Sequence, residues 1–149
     1  MTTLKQINEF IDSQPIAVVG ASRNPKKFGY SAFKELKEKG MKLVPVNPVA
    51  DEIMGEKSYK SVKLLPDDVK GIIVFTKKDQ TAAVIRDAKA KGIKQIWIQQ
   101  MADSKEALEE LKDSDINYIT GQCILMHYKP HSVHKFHKGL NKFFGRFPK

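Results

Sequence analysis

Three groups of residues in this chain have types and spacings suited to chemistry. The first is Gly20-Ala21-Ser22, with Arg23, Lys26 and Lys27 just behind it, in the stretch PIAVVGASRNPKKFGY. Four apolar residues, Ile16 to Val19, lead into the glycine, and Tyr30, Phe33 and Leu36 recur beyond the lysines at helical spacing. Strand, glycine turn and helix is the layout in which backbone N–H groups and a helix N-terminus hold a phosphate. The second group is Cys123 with His127, a thiol and a base in nearby sequence. It reads as a nucleophile only if the thiol pKa is lowered, and otherwise as a small buried hydrophobe. The third is His127, His131, His134 and His137, whose spacing of four, three and three suggests a zinc set. Pro130 breaks any helix between the first pair, and no carboxylate stands nearby in sequence. We therefore assign no metal site and no catalytic residue.

The elements that must position the first group follow from periodicity. Leu4, Ile7, Phe10 and Ile11 predict a short amphipathic helix capped by Thr3 and ended before Pro15. After the strand at 16–19, a helix over about 29–39 is closed by Gly40, and KLVPV (42–46) is a second strand stopped by Asn47-Pro48. Between 51 and 70 the signals are weaker. Gly55 marks a turn, 56–59 a short edge strand, and Ser61 caps one helical turn ended at Pro66. GIIVF (71–75) is a buried strand. Asp79 then caps a helix to Lys91, with Ala82, Ala83, Val84, Ile85 and Ala88 as its packing face and Gly92 as its stop. QIWI (95–98) is a strand, Ser104 to Lys112 a helix with Asp103 and Glu106 at capping-box spacing, and NYIT (117–120) the last strand.

Strands alternating with helices over short links predict a doubly wound, Rossmann-like α/β fold of three layers. Its parallel sheet has five or six strands in the order 3-2-1-4-5-6, with the third vestigial. Ligands of such sheets bind beyond the carboxyl ends of the strands, where the order switches. The crevice then collects Gly20, Ala21 and Ser22; Asn47 and Pro48; Thr76 and Lys77; Gln99, Gln100 and Met101; and Gly121, Gln122 and Cys123. That set is polar and nearly free of acids, which suits an anionic ligand.

Charge supports this division of labour. The 149 residues carry 26 basic and 17 acidic side chains, a net charge of +9. Lys129, Lys135, Lys138, Lys142, Arg146 and Lys149 lie in the last stretch, 129–149, which has no acid, so the body is close to balance and the tail is basic. Val133, Phe136, His137, Leu140, Phe143 and Phe144 give that tail an apolar face, predicting an amphipathic helix that docks on the domain or on a second subunit. The alternative is a basic regulatory or nucleic-acid-binding tail, a reading that docking disfavours. No apolar run of about 18 residues predicts a membrane span. The N-terminal stretch is polar and lacks a leader pattern, and one cysteine suits a reducing compartment, so the expected location is cytoplasmic.

The nature of the nucleotide is constrained by what the turn lacks. The dinucleotide fingerprint needs G-x-G-x-x-G and an acid about twenty residues on. Here Ser22 and Pro25 stand at the second and third glycine places, and the second strand ends in Val46-Asn47-Pro48 without an acid. NAD and NADP are disfavoured, and a ligand with an additional phosphate accounts better for Lys26 and Lys27.

The ordered set GASRNPKKFGYSAFKELKEKGMKLVPVNP, GEKSYKSV, WIQ and GQC resembles the small proteins made of a stand-alone coenzyme A (CoA)-binding domain. It is also similar to the corresponding domain of the succinyl-CoA synthetase alpha subunit and of ADP-forming acyl-CoA synthetases. The resemblance covers about residues 12–125 and makes 1–128 the CoA-binding domain and 129–149 an appended helix. It implies CoA as the cofactor, with Gly20, Ala21 and Ser22 and the following helix on its phosphates. It further implies Lys26 or Lys27 as an additional phosphate contact, Asn47 beside the adenosine part, Phe75, Thr76 and Lys77 as ligand contacts, and Gln99 near the pantetheine arm. Many small members carry Phe-Arg where this chain has Phe75-Thr76-Lys77. The synthetases' second domain and phosphorylated histidine segment do not appear in this chain, so ligase activity does not carry over. The expected function is non-catalytic binding of CoA, an acyl-CoA or a CoA disulfide. The alternative is a CoA- or nucleotide-dependent enzyme using Cys123.

Overall fold

The computed structural model describes residues 2–128. The appended helix expected over 129–149, with His131, His134 and His137, lies outside the described residues. The chain runs α1 (Leu4–Ile11), β1 (Ile16–Val19), α2 (Phe28–Glu38), β2 (Leu43–Val46), β3 (Glu52–Ile53), β4 (Glu56–Lys57), β5 (Gly71–Val74), α3 (Lys78–Lys91), β6 (Gln95–Gln99), α4 (Lys105–Leu111) and β7 (Asn117–Gln122). Single 3-10 turns cover Val62–Leu64 and Ile124–Met126. The main sheet has five strands in the order β2-β1-β5-β6-β7, and all its pairings are parallel.

The vestigial third strand is present as a single residue. Tyr59 donates its N–H to the Pro45 carbonyl at 3.0 Å and accepts the Asn47 N–H at 2.9 Å, forming a parallel bridge with Val46. The expected strand at 56–59 is thus divided. Glu56 and Lys57 pair back on β3 as a hairpin, turned by Met54 (φ 50°) and Gly55 (φ 82°). Two left-handed residues in succession suit such a hairpin turn. Pro45 is tolerated in β2 because that strand lies near the sheet edge, where few ladder donors are required.

Buried strands are apolar on both faces, and each face has its own core. On one side Ile16, Val18, Ile73, Trp97 and Ile119 meet Phe10 of α1 and Phe33 and Leu36 of α2. On the other Ala17, Ile72, Ile96 and Ile98 meet Ala82, Ile85 and Ala88 of α3 and Ala107 and Leu111 of α4. Trp97 is fully buried, stacks obliquely on Phe10 at 5.4 Å, and donates its indole N–H to the Gln122 carbonyl at 3.0 Å. Burial of a large aromatic ring with its one donor satisfied makes Trp97 the centre of the first core.

Several local expectations are corrected. Asp79 does not cap α3; Lys77 does, and Asp79 sits in the first turn. Thr81, fully buried in the next turn, has its hydroxyl 3.2 Å from the Lys77 carbonyl and 2.7 Å from the Thr76 hydroxyl. Ala83 faces solvent, and Thr81 takes a place in the buried face. Asp103 does not cap α4 either. Ser104 Oγ accepts the Ala107 N–H at 3.1 Å, which moves Glu106 to the second helical position and removes the reciprocal box. The last strand runs on through Gly121 and Gln122, so these two are strand residues and not part of a loop beyond it. Thr3 caps α1 with a full capping box, as expected, the Gln6 side chain answering the Thr3 N–H.

One contact couples the first strand to the helix after it. A methyl group built on Gly29, in the first turn of α2, would stand 2.0 Å from the Gly20 carbonyl oxygen. Gly29→Ala is expected to cost about 3 kcal/mol or more, because both partners are backbone and neither can move aside. Gly40→Ala, with φ +94° but open space around it, should cost only about 1 kcal/mol. Denaturant unfolding of both variants tests this, and equal costs would contradict it.

Candidate functional site

The site grows from the end of β1. Gly20 turns the chain with φ +99°, and a Cβ there would lie 3.0 Å from the Phe75 carbonyl oxygen, past the end of β5. Three backbones therefore meet at this point: the end of β1, the first turn of α2 and the exit of β5. Gly29 does the work that the third glycine does in a dinucleotide fingerprint, allowing close helix–strand packing. It stands four places beyond Pro25, where that fingerprint would have it, because the loop is longer. The signal was a glycine at the start of a helix, between Phe28 and Tyr30.

The loop itself is held by its own polar groups. Ser22 Oγ accepts the Asn24 N–H at 3.0 Å, and Asn24 Oδ1 accepts the Lys26 N–H at 3.0 Å. Both are local side-chain turns of the kind that replace a backbone ladder. Arg23, Lys26 and Lys27 are exposed, and Lys27 is the N-cap of α2 with no side-chain cap and no acid in the first turn. At α3 Lys77 is the N-cap, again without a side-chain cap, but there Asp79 stands in the first turn. Helices α1 and α4, by contrast, are capped by Thr3 and Ser104. Lysine at a helix N-terminus opposes the macrodipole, so the α2 N-terminus, uncapped and without an acid in its first turn, is a poor arrangement unless an anion joins it.

Asn47 pins the turn to the second strand. Its Nδ2 donates to the Ala21 carbonyl at 2.9 Å, and its Oδ1 accepts the N–H groups of Val49 and Ala50 at 2.8 and 2.9 Å. Of the nearby acids, Asp51 lies below the usual carboxylate range, chiefly through a hydrogen bond from Lys60 and then the Lys60 charge, with a smaller pull from Arg23. That carboxylate is already committed to a cation.

Beyond the turn, the ends of β5 and β6 open a cavity of about 410 Å³ lined by Phe28, Phe75, Thr76, Gln99, Gln100, Met101, Ala102 and Cys123. No lining residue is a carboxylate, a histidine or a lysine. Phe28 and Phe75 stack edge to face at 5.4 Å. The Thr76 hydroxyl lies 2.7 Å from that of Thr81, which also donates to the Ala102 carbonyl at 2.6 Å and so ties the two loops together. Gln99 is 5% exposed and accepts the Ile124 N–H on Oε1 at 3.0 Å. Cys123 is half-buried in the wall. His127 stacks on Trp97 and has Nε2 3.2 Å from Gln122 Oε1.

Of the residues singled out in the sequence, Phe75, Thr76 and Gln99 share this cavity. Gly20, Ala21, Ser22 and Asn47 form the adjoining turn. Lys26, Lys27 and Lys77 are exposed, each near a lining residue in sequence but none in the cavity wall. Sequence reasoning missed Phe28, which stands off the Tyr30-Phe33-Leu36 stripe, and Thr81, whose role depends on a partner twenty-one residues away.

A doubly wound sheet with a glycine turn at the switch point, an uncapped basic helix N-terminus behind it and a cavity at the neighbouring strand ends defines a nucleotide-binding domain of Rossmann type. Residues 14–129 match the family described as CoA binding domain, and the chain belongs to that family, whose cofactor is coenzyme A. It is 41% identical over 93 residues to the alpha subunit of ADP-forming acetate–CoA ligase II of Pyrococcus furiosus, covering 62% of this chain and 20% of that subunit. It is 30% identical over 120 residues to the uncharacterized protein YneT of Bacillus subtilis, covering 80% and 89%. Among solved structures it is similar to a conserved hypothetical protein from Pyrococcus furiosus, with 41% identity, TM-score 0.71 and coverage of 74% and 95%. The chain thus spans about a fifth of the ligase subunit.

Asn47 supplies a stability test of how the turn is held. Asn47→Asp keeps the two acceptor bonds and loses the one to Ala21, at an expected cost of about 1 kcal/mol; Asn47→Ala loses all three, at about 2–3 kcal/mol. Amide exchange near Ala21 should rise in both variants. No rise in Asn47→Asp would contradict the pinning.

Proposed function

We propose that this chain is a CoA-holding module and not itself a ligase. The observation that carries the reading is the Gly20–Gly29 approach. It brings the uncapped N-terminus of α2 against the bend, with no side chain between them; the Gly20 N–H is taken by the Val46 carbonyl at 3.3 Å, which leaves the amides of Ala21 and Ser22 and the first N–H groups of α2 for a ligand. The CoA diphosphate is assigned there, each helix-dipole contact contributing about 0.3–1 kcal/mol at an exposed site. Lys26 and Lys27 take an additional phosphate, and Asn47 places the adenosine part by holding the loop after β2 against the turn. From the diphosphate the pantetheine arm runs past Phe75, Thr76 and Gln99, and its thiol end reaches toward Cys123. Lys77 complements the charge from the α3 side.

The residues present fit such a ligand. Three features favour it: a Cβ-free bend for a phosphate, exposed ammonium groups around it, and an adjoining cavity without charge. Binding, not acid–base turnover, is favoured because the cavity lining offers neither a carboxylate nor an imidazole. The ligases of the comparison are much longer proteins, and their activity is not assigned to this chain. Beyond CoA or an acyl-CoA, a second copy of the chain, met by the apolar face of the tail, is the further partner we propose. A cytoplasmic location is likewise proposed; no helix among the described residues is long and apolar enough to cross a membrane.

Two measurements test this. In calorimetry, Lys26→Ala plus Lys27→Ala should weaken CoA binding about tenfold and flatten its dependence on ionic strength. Unchanged affinity and slope would remove both lysines from the site. Separately, saturating CoA should slow alkylation of Cys123 several-fold, while ADP, which lacks the pantetheine arm, should leave it unchanged. Equal rates with and without CoA would place the thiol end elsewhere.

A further inference from the structure

The two edges of the main sheet are finished differently. At one, β2 carries Pro45, and Tyr59 bridges onto Val46 beside it. At the other, β7 pairs with β6 alone among the described residues, and Asn117 donates its N–H inward to the Lys94 carbonyl at 2.9 Å. Ladder bonds alternate along a strand, so Tyr118 and Thr120 turn their N–H groups outward. A cavity of about 420 Å³ is lined by Tyr118, Thr120 and Gln122 of β7 together with Thr2 and Gln6. Thr120 Oγ1 is buried without a hydrogen-bond partner among the described residues. Open edges are commonly guarded by charged side chains or proline, and β7, NYITGQ, has neither.

We propose that this edge pairs with the same edge of a second copy, β7 running antiparallel to β7 across a two-fold axis at Ile119. This rests on the second copy named above as a partner and gives it a surface; it is independent of CoA. Tyr118 of each copy then lies opposite Thr120 of the other, and the two exchange N–H to carbonyl bonds in an isologous contact. Because the strand is neutral, self-pairing sets no like charges opposite one another. The occupant must offer strand backbone, since that is what satisfies a row of outward amides. The stretch 129–149 of the same chain is not written as a strand: Val133, Phe136, Leu140 and Phe143 recur at helical spacing, and Pro130 has no N–H to give. That stretch does leave beside the groove, because His127 Nε2 lies 3.2 Å from Gln122 Oε1. A stable dimer buries about 1,200–2,000 Å² in total, more than a pair of short strands supplies. The tails, leaving beside the paired strands, bring apolar surface for the remainder. The link from β6 to β7, residues 100–116, holds six acids and two lysines, a counterpart for the basic tail of the other copy.

Sedimentation velocity of the full chain over a range of concentrations tests it. A reversible dimer is expected. Thr120→Lys puts an ammonium group on the paired edge of each copy and should weaken the dimer about tenfold or more, with CoA affinity unchanged. Should that variant fail to fold, hydrogen exchange of the native chain decides: the Tyr118 and Thr120 amides should exchange about tenfold more slowly where the dimer predominates, and that of Asn117, bonded inward, at the same rate. A dimer whose Tyr118 and Thr120 amides exchange as in the monomer, or a folded Thr120→Lys variant that dimerises as tightly as the native chain, would overturn the edge and leave the second copy as partner. A monomer at every concentration would overturn both, and protection of those amides in that monomer would assign the edge to the chain's own tail.

Discussion

The structure depends on one steric constraint: the first turn of α2 approaches the end of β1 so closely that no Cβ fits between them. The Gly20 carbonyl stands 2.0 Å from where a side chain on Gly29 would begin. The same turn is packed from the other side by Phe75, 3.0 Å from a virtual Cβ on Gly20. Strand, helix and the neighbouring strand's exit are thereby locked around a short length of bare backbone. Bare backbone at the N-terminus of a helix is where an anion is most easily held, because its N–H groups are unpaired and their dipoles are aligned. Packing and proposed ligand recognition are therefore one arrangement seen twice.

The surroundings follow from that choice. Asn47 spends all three of its side-chain hydrogen bonds on backbone, one of them on Ala21, so the turn is fastened to β2 by a neutral side chain. An acid at that place, as in dinucleotide domains, would favour ribose hydroxyls and oppose a phosphate. The helix caps show the same bias. Threonine and serine cap the helices at the start and end of the described fold, whereas α2 and α3 begin behind lysines. The charged part of the site is thus exposed and the cavity beside it uncharged, a division that matches a ligand with phosphates at one end and an uncharged arm at the other.

Most of the architecture was legible in the chain. IAVV, GIIVF and QIWI are apolar without alternation, which only strands covered on both faces require, and the strand order followed from the short alternating links. Even the vestigial strand was legible near Tyr59, though not its division into a hairpin and a single bridge, because Gly55 signals a turn without saying which side pairs. Caps were less legible. Asp79 and Asp103 are good capping types, but α3 begins at Lys77 with no side-chain cap and α4 is capped by Ser104, the residue after Asp103. The site was legible as a set of strand ends and opaque in its details. Pro25 was compared with the third glycine because the fingerprint fixes a spacing, whereas the longer loop moved that function to Gly29.

Titration of isotope-labelled protein with CoA, followed residue by residue in amide NMR spectra, tests the central claim most directly. The account predicts that the largest shifts fall on Gly20, Ala21, Ser22 and the first turn of α2, with a second set at Gln99 and Cys123, and that NAD at equal concentration produces neither. Shifts confined to other surfaces, or the same pattern with NAD, would contradict it.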